Sequence, residues 1–571
     1  MLERLSNVLA VYLASPAART DCEHALRAQF PSVRALASGW LVAERALPES
    51  GPPASRWSEL AAWEGEGELV RSCVGELPID ALRARLSSLP GELGFARLEP
   101  GGRCLIARSA GGRVPVYVAR DPDATWIATS LEDLLRARTA EPRRDALVQA
   151  LWSEGNAAFP DRRSFFVGVE LVPRGQAVIA DAASCSLFSY WDPRPERLAP
   201  PGDALAREHV EEFRAALLDA LTSSLSREAP NLLTLSGGVD SSALAHLARG
   251  AGFPLATLTF VAPRRSPARA RQLSYVEPQL AELGVERARL VDAEDGVLEE
   301  LFRRPLPALF FCPHPALRLL PELAPELGAR VLFSGHFADE VSGYSQRLQD
   351  WVRHTSARRL LDPATPLPSG ARDVARWLKR RTLERLGRPL LPFPSEIGSW
   401  FRADLRAELR EWAERERRAA VDDPRPLREL AAWCRLDGWL AMQWECCTRW
   451  GIRPSTPFFT RRMLELAFRC HPSELFGPGT KKILRRALRD LVPARYLDRP
   501  DKGHWRVTRR PPTADARTTR AGLPDEVRAL LRPEYPSDLA PLTALEHRAL
   551  NQLVLFSRKV REVRHAGYGR D

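Results

Sequence analysis

The chain has 571 residues, 44% of them hydrophobic and 27% charged, with a formal net charge of +11 and a pI of about 9.5. That length exceeds one hydrophobic core and requires two or more domains, and the composition is that of an ordinary globular protein. The charge comes without a basic block interleaved with aromatics, which argues against a nucleic-acid partner, and no run of about 18 apolar residues exists, which argues against a membrane span. Clusters such as Arg358-Arg359 and Lys379-Arg380-Arg381 read as an arginine-rich bias.

Residues 1 to about 195 read as β-rich. The opening MLERLSNVLAVYLASPA is short and broken by Tyr12, so it reads as a first strand rather than a signal peptide. Short apolar runs then alternate with Gly, Pro and Asp turns at 94–96, 104–107, 114–118, 125–128, 165–168 and 177–179, with helical patterns near 22–29, 80–87 and 145–153. The expectation is an α+β sandwich. Nine cysteines are scattered without a CxxC pair, so neither a zinc ribbon nor a disulfide framework is indicated, and Cys312-Pro313-His314 reads as structural. Of 83 basic residues only five are lysine: Lys379, Lys481, Lys482, Lys502 and Lys559. Where composition favours arginine, a remaining lysine suggests a compact ammonium that a guanidinium cannot replace.

The Pro-rich polar stretch 192–204 reads as a linker. A helical pattern follows, with Val210, Phe213, Leu217 and Leu221 on one face. Then comes Asn231 to Gly250, NLLTLSGGVDSSALAHLARG. Leu232, Leu233 and Leu235 form a buried strand, Ser236-Gly237-Gly238-Val239-Asp240-Ser241 a small-residue turn, and Ala243, Leu244, Leu247 and Ala248 a helix stripe. A strand, a glycine turn and a helix N-terminus form an anion cradle, because unpaired N–H groups and the helix dipole both favour negative charge. Asp240 fits an anion site only with a cation between, as a Mg²⁺ site beside phosphates supplies. No lysine follows the glycines, so this is not the GxxxxGK[ST] loop. Strands at 255–261, 288–291 and 329–333 alternate with a helix at 275–283, which predicts a doubly wound parallel sheet with ligands at the carboxyl ends of its strands. The strand at 329–333 ends in Ser334-Gly335-His336-Phe337-Ala338-Asp339-Glu340. Residues 425–470 read as helical and aromatic-rich.

These segments resemble the class B asparagine synthetase superfamily. The hexapeptide 236–241 matches the SGGxDS loop of enzymes that split ATP between its α- and β-phosphates. GELGFARLEPGGRCLIARSAGGRVPVYVARDPDATWIATSLEDLL resembles the family's glutaminase-type N-terminal domain, and FFVGVELVPRGQAVIADAASCSLFSYWDPRPE its exit. A family glutaminase uses a Cys directly after the initiator Met. Here that position holds Leu2 and the nearest cysteine is Cys22, so the resemblance implies an inactive glutaminase-like domain.

The stretch 334–344 resembles the SGxGxDExxGG/Y loop, with Gly335 close to the nucleotide and Asp339 the second Mg²⁺ carboxylate. His336 stands for an acidic or aromatic residue and Phe337 for a glycine; His336 is either a general base or a shape-filling residue. Pro457-Phe458-Phe459-Thr460 is similar to the PFLD segment, with Thr460 for its Asp. Lys481 to Ala487 resembles the KxxLRxA helix, placing Lys481 and Arg485 on one helix face. Arg499 to Lys502 resembles the RxK loop, whose lysine contacts pyrophosphate and the acyl-phosphate oxygens. His504 is a reserve base.

The resemblance implies an α/β chain. Residues 1–195 form an inactive Ntn-glutaminase-like sandwich, and 205–571 a doubly wound ATP-pyrophosphatase domain. Its expected cofactors are ATP and Mg²⁺. Leu235, Ser236, Gly237, Gly238, Asp240, Ser241, Gly335, Lys481 and Arg485 are expected around the nucleotide, with Asp240 and Asp339 on the metal. Lys502, His336 and Lys481 are the catalytic candidates.

Loss of the glutaminase Cys points to an amine carried by the substrate itself, as in lasso-peptide macrolactam cyclases and β-lactam synthetases. The cyclase reading is preferred for the chain length and the unmatched insertion at 355–400. The alternatives are a small-molecule amide ligase and, from another class, a non-catalytic nucleotide-binding scaffold. The expected substrate is a peptide or small molecule, the expected location the cytoplasm, and the resemblance implies a leader peptidase or precursor-recognition protein as partner. No role follows for the 510–571 tail.

Overall fold

The computed structural model describes residues 6–46 without 37 and 39, 60–64, 77–89, 94–144, 163–192 without 182–183, 207–342 without 307 and 310–314, 382, 401–411 without 409–410, 433–470, 481–499, 523–532 and 544–565. Lys502, His504, Cys312, His314, the predicted helix at 145–153 and, but for Thr382, the 355–400 insertion lie outside them.

The N-terminal part holds two antiparallel sheets. One is six-stranded, in the order β2 (Ser32–Ala35), β3 (Trp40–Ala46), β1 (Ser6–Leu13), β8 (Ala124–Ala128), β7 (Tyr117–Asp121), β9 (Val169–Leu171). The other is five-stranded: β11 (Cys185–Ser189), β10 (Gln176–Ala180), β6 (Cys104–Ala107), β5 (Gly94–Leu98), β4 (Leu60–Glu64). Strand alternation sets the layers. Val8 and Ala10 of β1 pack with Ile106 of β6 and Val178 of β10 between the sheets. Leu9 and Val11 face the other way, toward Leu26 of the helix Pro16–Gln29 and toward Leu131, Leu134 and Leu135 of the helix Leu131–Ala137. On the outer face of the second sheet, Phe95, Leu105 and Ala177 pack on Ile79 and Leu82 of the helix Ile79–Arg85. Helices therefore flank a two-sheet sandwich.

The second part is built on a five-stranded parallel sheet in the order β14 (Arg287–Asp292), β13 (Leu255–Val261), β12 (Asn231–Thr234), β15 (Val331–Phe333), β16 (Arg453–Ser455). The chain adds strands outward from β12 in one direction and then the other. The topological switch point therefore lies between β12 and β15, where loops diverge and leave a crevice. The central strands are continuous apolar runs because helices cover both faces; Leu232, Leu233, Val331 and Phe333 are all at most 1% exposed. β16 is an edge strand that the sequence hides, since three residues centred on Pro454 carry no strand pattern and proline is tolerated only at an edge.

The two parts share core. Trp444, on the helix Trp433–Thr448, is fully buried among Val8, Trp40 and Ile106 of the sandwich. The C-terminal helix Ala544–His565 docks on it too, with the Phe556 ring 5.7 Å from Phe165 and 6.0 Å from Phe166. The run 165–168, expected as a strand, is thus a turn whose phenylalanines plug this contact; the strand starts at Val169. The helix also gives part of the unassigned tail a structural place. Among the described residues no helix is long and apolar enough to cross a membrane.

Candidate active site

β12 and β15 are neighbours in register, Leu233 opposite Phe333, so the loops leaving their carboxyl ends lie side by side. The first loop leads into the helix Val239–Gly250, capped by Gly238. Gly237 takes φ 73°, a left-handed conformation, and a Cβ there would meet Val276 Cγ2 at 3.1 Å. Internal bonds hold the turn: Ser241 Oγ lies 3.1 Å from Ser236 Oγ, accepts from the Ser236 N–H at 3.2 Å and donates to the Gly238 carbonyl. Leu235 seats the loop. Its N–H donates to Leu258 and its carbonyl accepts from Thr259 Oγ1 at 2.7 Å, so it anchors the turn to β13.

The second loop passes so near the first that only glycine fits at 335. A Cβ on Gly335 would stand 2.7 Å from Asp240 Cβ and 3.2 Å from the Ser241 backbone nitrogen. This approach brings Asp339, in the turn of helix Ala338–Ser342, beside Asp240. Lys481 Nζ bridges the two, bonding Asp240 Oδ2 and standing 2.7 Å from Asp339 Oδ1. Its side chain is 5% exposed. Burial works against the charge, but the two carboxylates outweigh it and raise the Lys481 pKa above its ordinary value. We expect Gly335→Ala to drive the loops apart by moving backbone, since the atoms met include backbone. If the site carries out the adenylation that the resemblance implies, its rate should fall about 100-fold, as a displacement of roughly 1 Å at reacting groups does. Retention of the wild-type rate of pyrophosphate release would refute the close-approach argument.

Lys481 is not in the helix that the sequence suggested. It precedes the helix Lys482–Ala487 with φ 56°, and its carbonyl accepts from the Arg485 N–H. The two side chains therefore do not share a helix face: Lys481 serves the carboxylates, and Arg485 Nη2 donates to the Arg499 carbonyl at 3.1 Å. Arg499, not among the expected site residues, is 3% exposed, donates to the Gly237 carbonyl and lies over the Tyr275 ring at 4.0 Å. It buttresses the glycine turn from the segment leading to Lys502.

His336 Nδ1 lies 2.6 Å from Ser334 Oγ, and its ring sits edge-on to Trp439 at 4.9 Å between centroids. Burial lowers its pKa to about 4 against the opposing pull of Asp339. The ring is therefore neutral at pH 7 and weakly basic, which favours the packing role over proton acceptance. Phe337 occupies a left-handed position, φ 69°, as a glycine would. Stacking on Phe459 at 4.4 Å, with 6% exposure, offsets a strain of roughly 1–2 kcal/mol. Thr460 caps the helix Arg461–Arg469, its Oγ1 accepting from Met463 N at 3.4 Å.

The carboxylates fit a hard divalent cation: two oxygen donors from adjacent strand ends converge on one positive charge, beside an anion cradle. Among the described residues there is no group of three or more His, Cys, Asp or Glu placed to hold a metal, so further ligands would come from substrate oxygens and water. Asp240 and Asp339 would hold the ion, which when bound would neutralise charge on phosphate oxygens.

A doubly wound domain with a glycine anion loop and paired carboxylates at its switch point defines the class. Residues 212–565, well over half the chain, match the asparagine synthase family, and the chain belongs to that family. Over 199 residues it is 28% identical to the carboxyethyl-arginine β-lactam synthase of Streptomyces clavuligerus, covering 34% of this chain and 34% of that protein. The match thus spans about a third of that relative's length. Among solved structures, the U34-tRNA thiolase NcsA of Methanococcus maripaludis with its 4Fe-4S cluster is 15% identical, covering 40% of this chain and 78% of that one, at a TM-score of 0.21, too slight a likeness to argue from.

Proposed function

We propose that the protein is an ATP-dependent, AMP-forming amide ligase that adenylates a carboxylate and joins it to an amine of the same substrate. The observation that carries this reading is the convergence of Asp240 and Asp339 on one cation beside the 236–241 turn. Adenylation needs a carboxylate oxygen to attack the α-phosphorus while pyrophosphate leaves, and preorganised positive charge at the leaving oxygens is the main requirement. The loop N–H groups and Lys481 would supply it. Lys502 is assigned by resemblance to the oxyanion formed when the amine attacks.

The amine is internal in this reading because Cys22, the cysteine nearest the start of the sandwich, lies on a helix with its thiol pushed up to about 11 by burial, which suits it poorly to act as a glutaminase nucleophile. The finer reading is closure of a peptide by a macrolactam between its N-terminus and an Asp or Glu side chain, as in lasso-type cyclases, with a leader peptidase or precursor-recognition protein upstream. A second reading, closure of a small β-amino acid, is favoured by the likeness to the β-lactam synthase.

The test incubates the full chain with ATP and Mg²⁺ and, separately, a short peptide with a free N-terminus and internal Asp or Glu, a β-amino acid, and aspartate with ammonia. AMP and pyrophosphate with a peptide one water lighter supports the cyclase. Turnover only with the β-amino acid supports the second reading, and turnover only with aspartate and ammonia overturns the internal amine. Nucleotide binding without cleavage under any condition would favour a non-catalytic scaffold.

A further inference from the structure

Lys481 is built into its position more firmly than a residue that only meets an incoming phosphate requires. It holds a left-handed backbone at φ 56°, and the following Ile483 and Leu484 are anchored in the core at 3% and 0% exposure. Its side chain is nearly buried and ends between Asp240 and Asp339. Gly335 clamps the loops that carry those carboxylates, and the gap between them is one that a single ammonium already bridges. An ammonium and a divalent ion placed in that gap would repel strongly at low effective dielectric. Occupancy by one therefore excludes the other.

We propose that Lys481 is the exchangeable counterion of this site: it holds Asp240 and Asp339 against a metal ion until the phosphates of a nucleoside triphosphate draw the ammonium away, so that the cation enters only with nucleotide. The proposal rests on the reading of these carboxylates as the metal pair. Lysine suits the task. Its compact point charge on a flexible stem turns from carboxylate to phosphate by rotating a few bonds, whereas a guanidinium fork would grip the carboxylates bidentately. The adjacent anion cradle gives the ammonium a destination. Because coupling is reciprocal, the nucleotide raises cation affinity and the cation raises nucleotide affinity by the same factor.

The test measures Mn²⁺ binding to the nucleotide-free protein through the electron paramagnetic resonance of free Mn²⁺. Lys481→Met should bind Mn²⁺ at least about tenfold tighter than wild type, and adding Asp240→Asn should abolish that gain. If wild type binds Mn²⁺ as tightly as Lys481→Met, and Asp240→Asn alone removes the binding, the counterion role is overturned while the carboxylate reading stands. If neither chain binds Mn²⁺ even with α,β-methylene ATP, the carboxylate reading fails and the proposal with it. Lys481→Met leaves two carboxylates facing each other and can unfold the site, so the wild type supplies a second readout. Mn²⁺ alone should leave its Tm unchanged, and Mn²⁺ with α,β-methylene ATP should raise it. A rise with Mn²⁺ alone overturns the proposal.

Discussion

Asp240→Asn and Asp339→Asn should each remove the Mg²⁺-dependent part of ATP binding and slow pyrophosphate release by about 10²–10³-fold, the usual cost of deleting one preorganised charge from a reacting site. Asparagine keeps the shape and one oxygen acceptor, so Lys481 retains its charged partner in the other carboxylate and the fold survives. What is lost is half the negative charge that selects a divalent cation. The single and double variants should fall nearly equally, because two ligands of one ion act as a unit and their effects do not add. Calorimetry of ATP binding in Mg²⁺ and in chelator reads the metal-dependent increment without knowledge of the acceptor substrate. If either variant keeps the full increment, the carboxylate pair is not the metal site. If the double variant is worse than each single by the product of their effects, Asp240 and Asp339 act independently.

Much of this site was legible in the sequence because it rests on local rules. An apolar run, a small-residue turn and a helix stripe can be read without partners, and Asp240 follows from the turn it occupies, whereas Asp339 comes from the resemblance of 334–344 to a family loop. What the sequence could not show was set by distant packing. Lys481 matches a helix pattern with Arg485, yet its backbone turns left-handed because its charge has carboxylates on two other loops to reach. Arg499 opens the stretch that resembles the RxK loop, but only the fold places it under Gly237. Phe165 and Phe166 mimic a strand, but their apolar character serves a contact with Phe556, nearly 400 residues on. Lysine scarcity does not single out one site. It marks Lys481, and it equally marks Lys559, 3% exposed, which lies 2.9 Å from Glu562 and 3.6 Å from Glu132 of the sandwich. In both places a compact ammonium sits in a buried ion pair, once at the candidate site and once where the two parts of the chain meet.

That meeting place carries the second large expected effect: Glu445→Gln should stabilise the protein at alkaline pH and leave it unchanged in acid. Glu445, on the helix that delivers Trp444 into the sandwich, is 5% exposed. It accepts from the Leu131 N–H and, at 3.4 Å, from Ser130 Oγ, so it caps a helix of the other part of the chain. Burial raises its pKa to about 8, the backbone bond from Leu131 opposing and the nearby Asp133 and Glu132 charges adding to the rise. Glu132 is itself balanced by Arg449 and Lys559. The folded state thus binds the Glu445 proton more tightly than the unfolded chain, whose pKa is near 4.5. The stability this contributes is complete below about pH 4.5 and is lost as pH rises toward 8. Glutamine reproduces the neutral acid: its carbonyl accepts from Leu131 and its amide meets Ser130, with no charge to desolvate at any pH. Relative to wild type it should gain on the order of 2–4 kcal/mol above about pH 8 and almost nothing near pH 5. Thermal melts of both proteins at the two extremes read the difference. A Glu445→Gln protein that melts below wild type at about pH 9, or by the same margin at both pH values, would mean that the carboxylate is ionised in the fold and that Leu131 and Ser130 bind a charge rather than a buried acid.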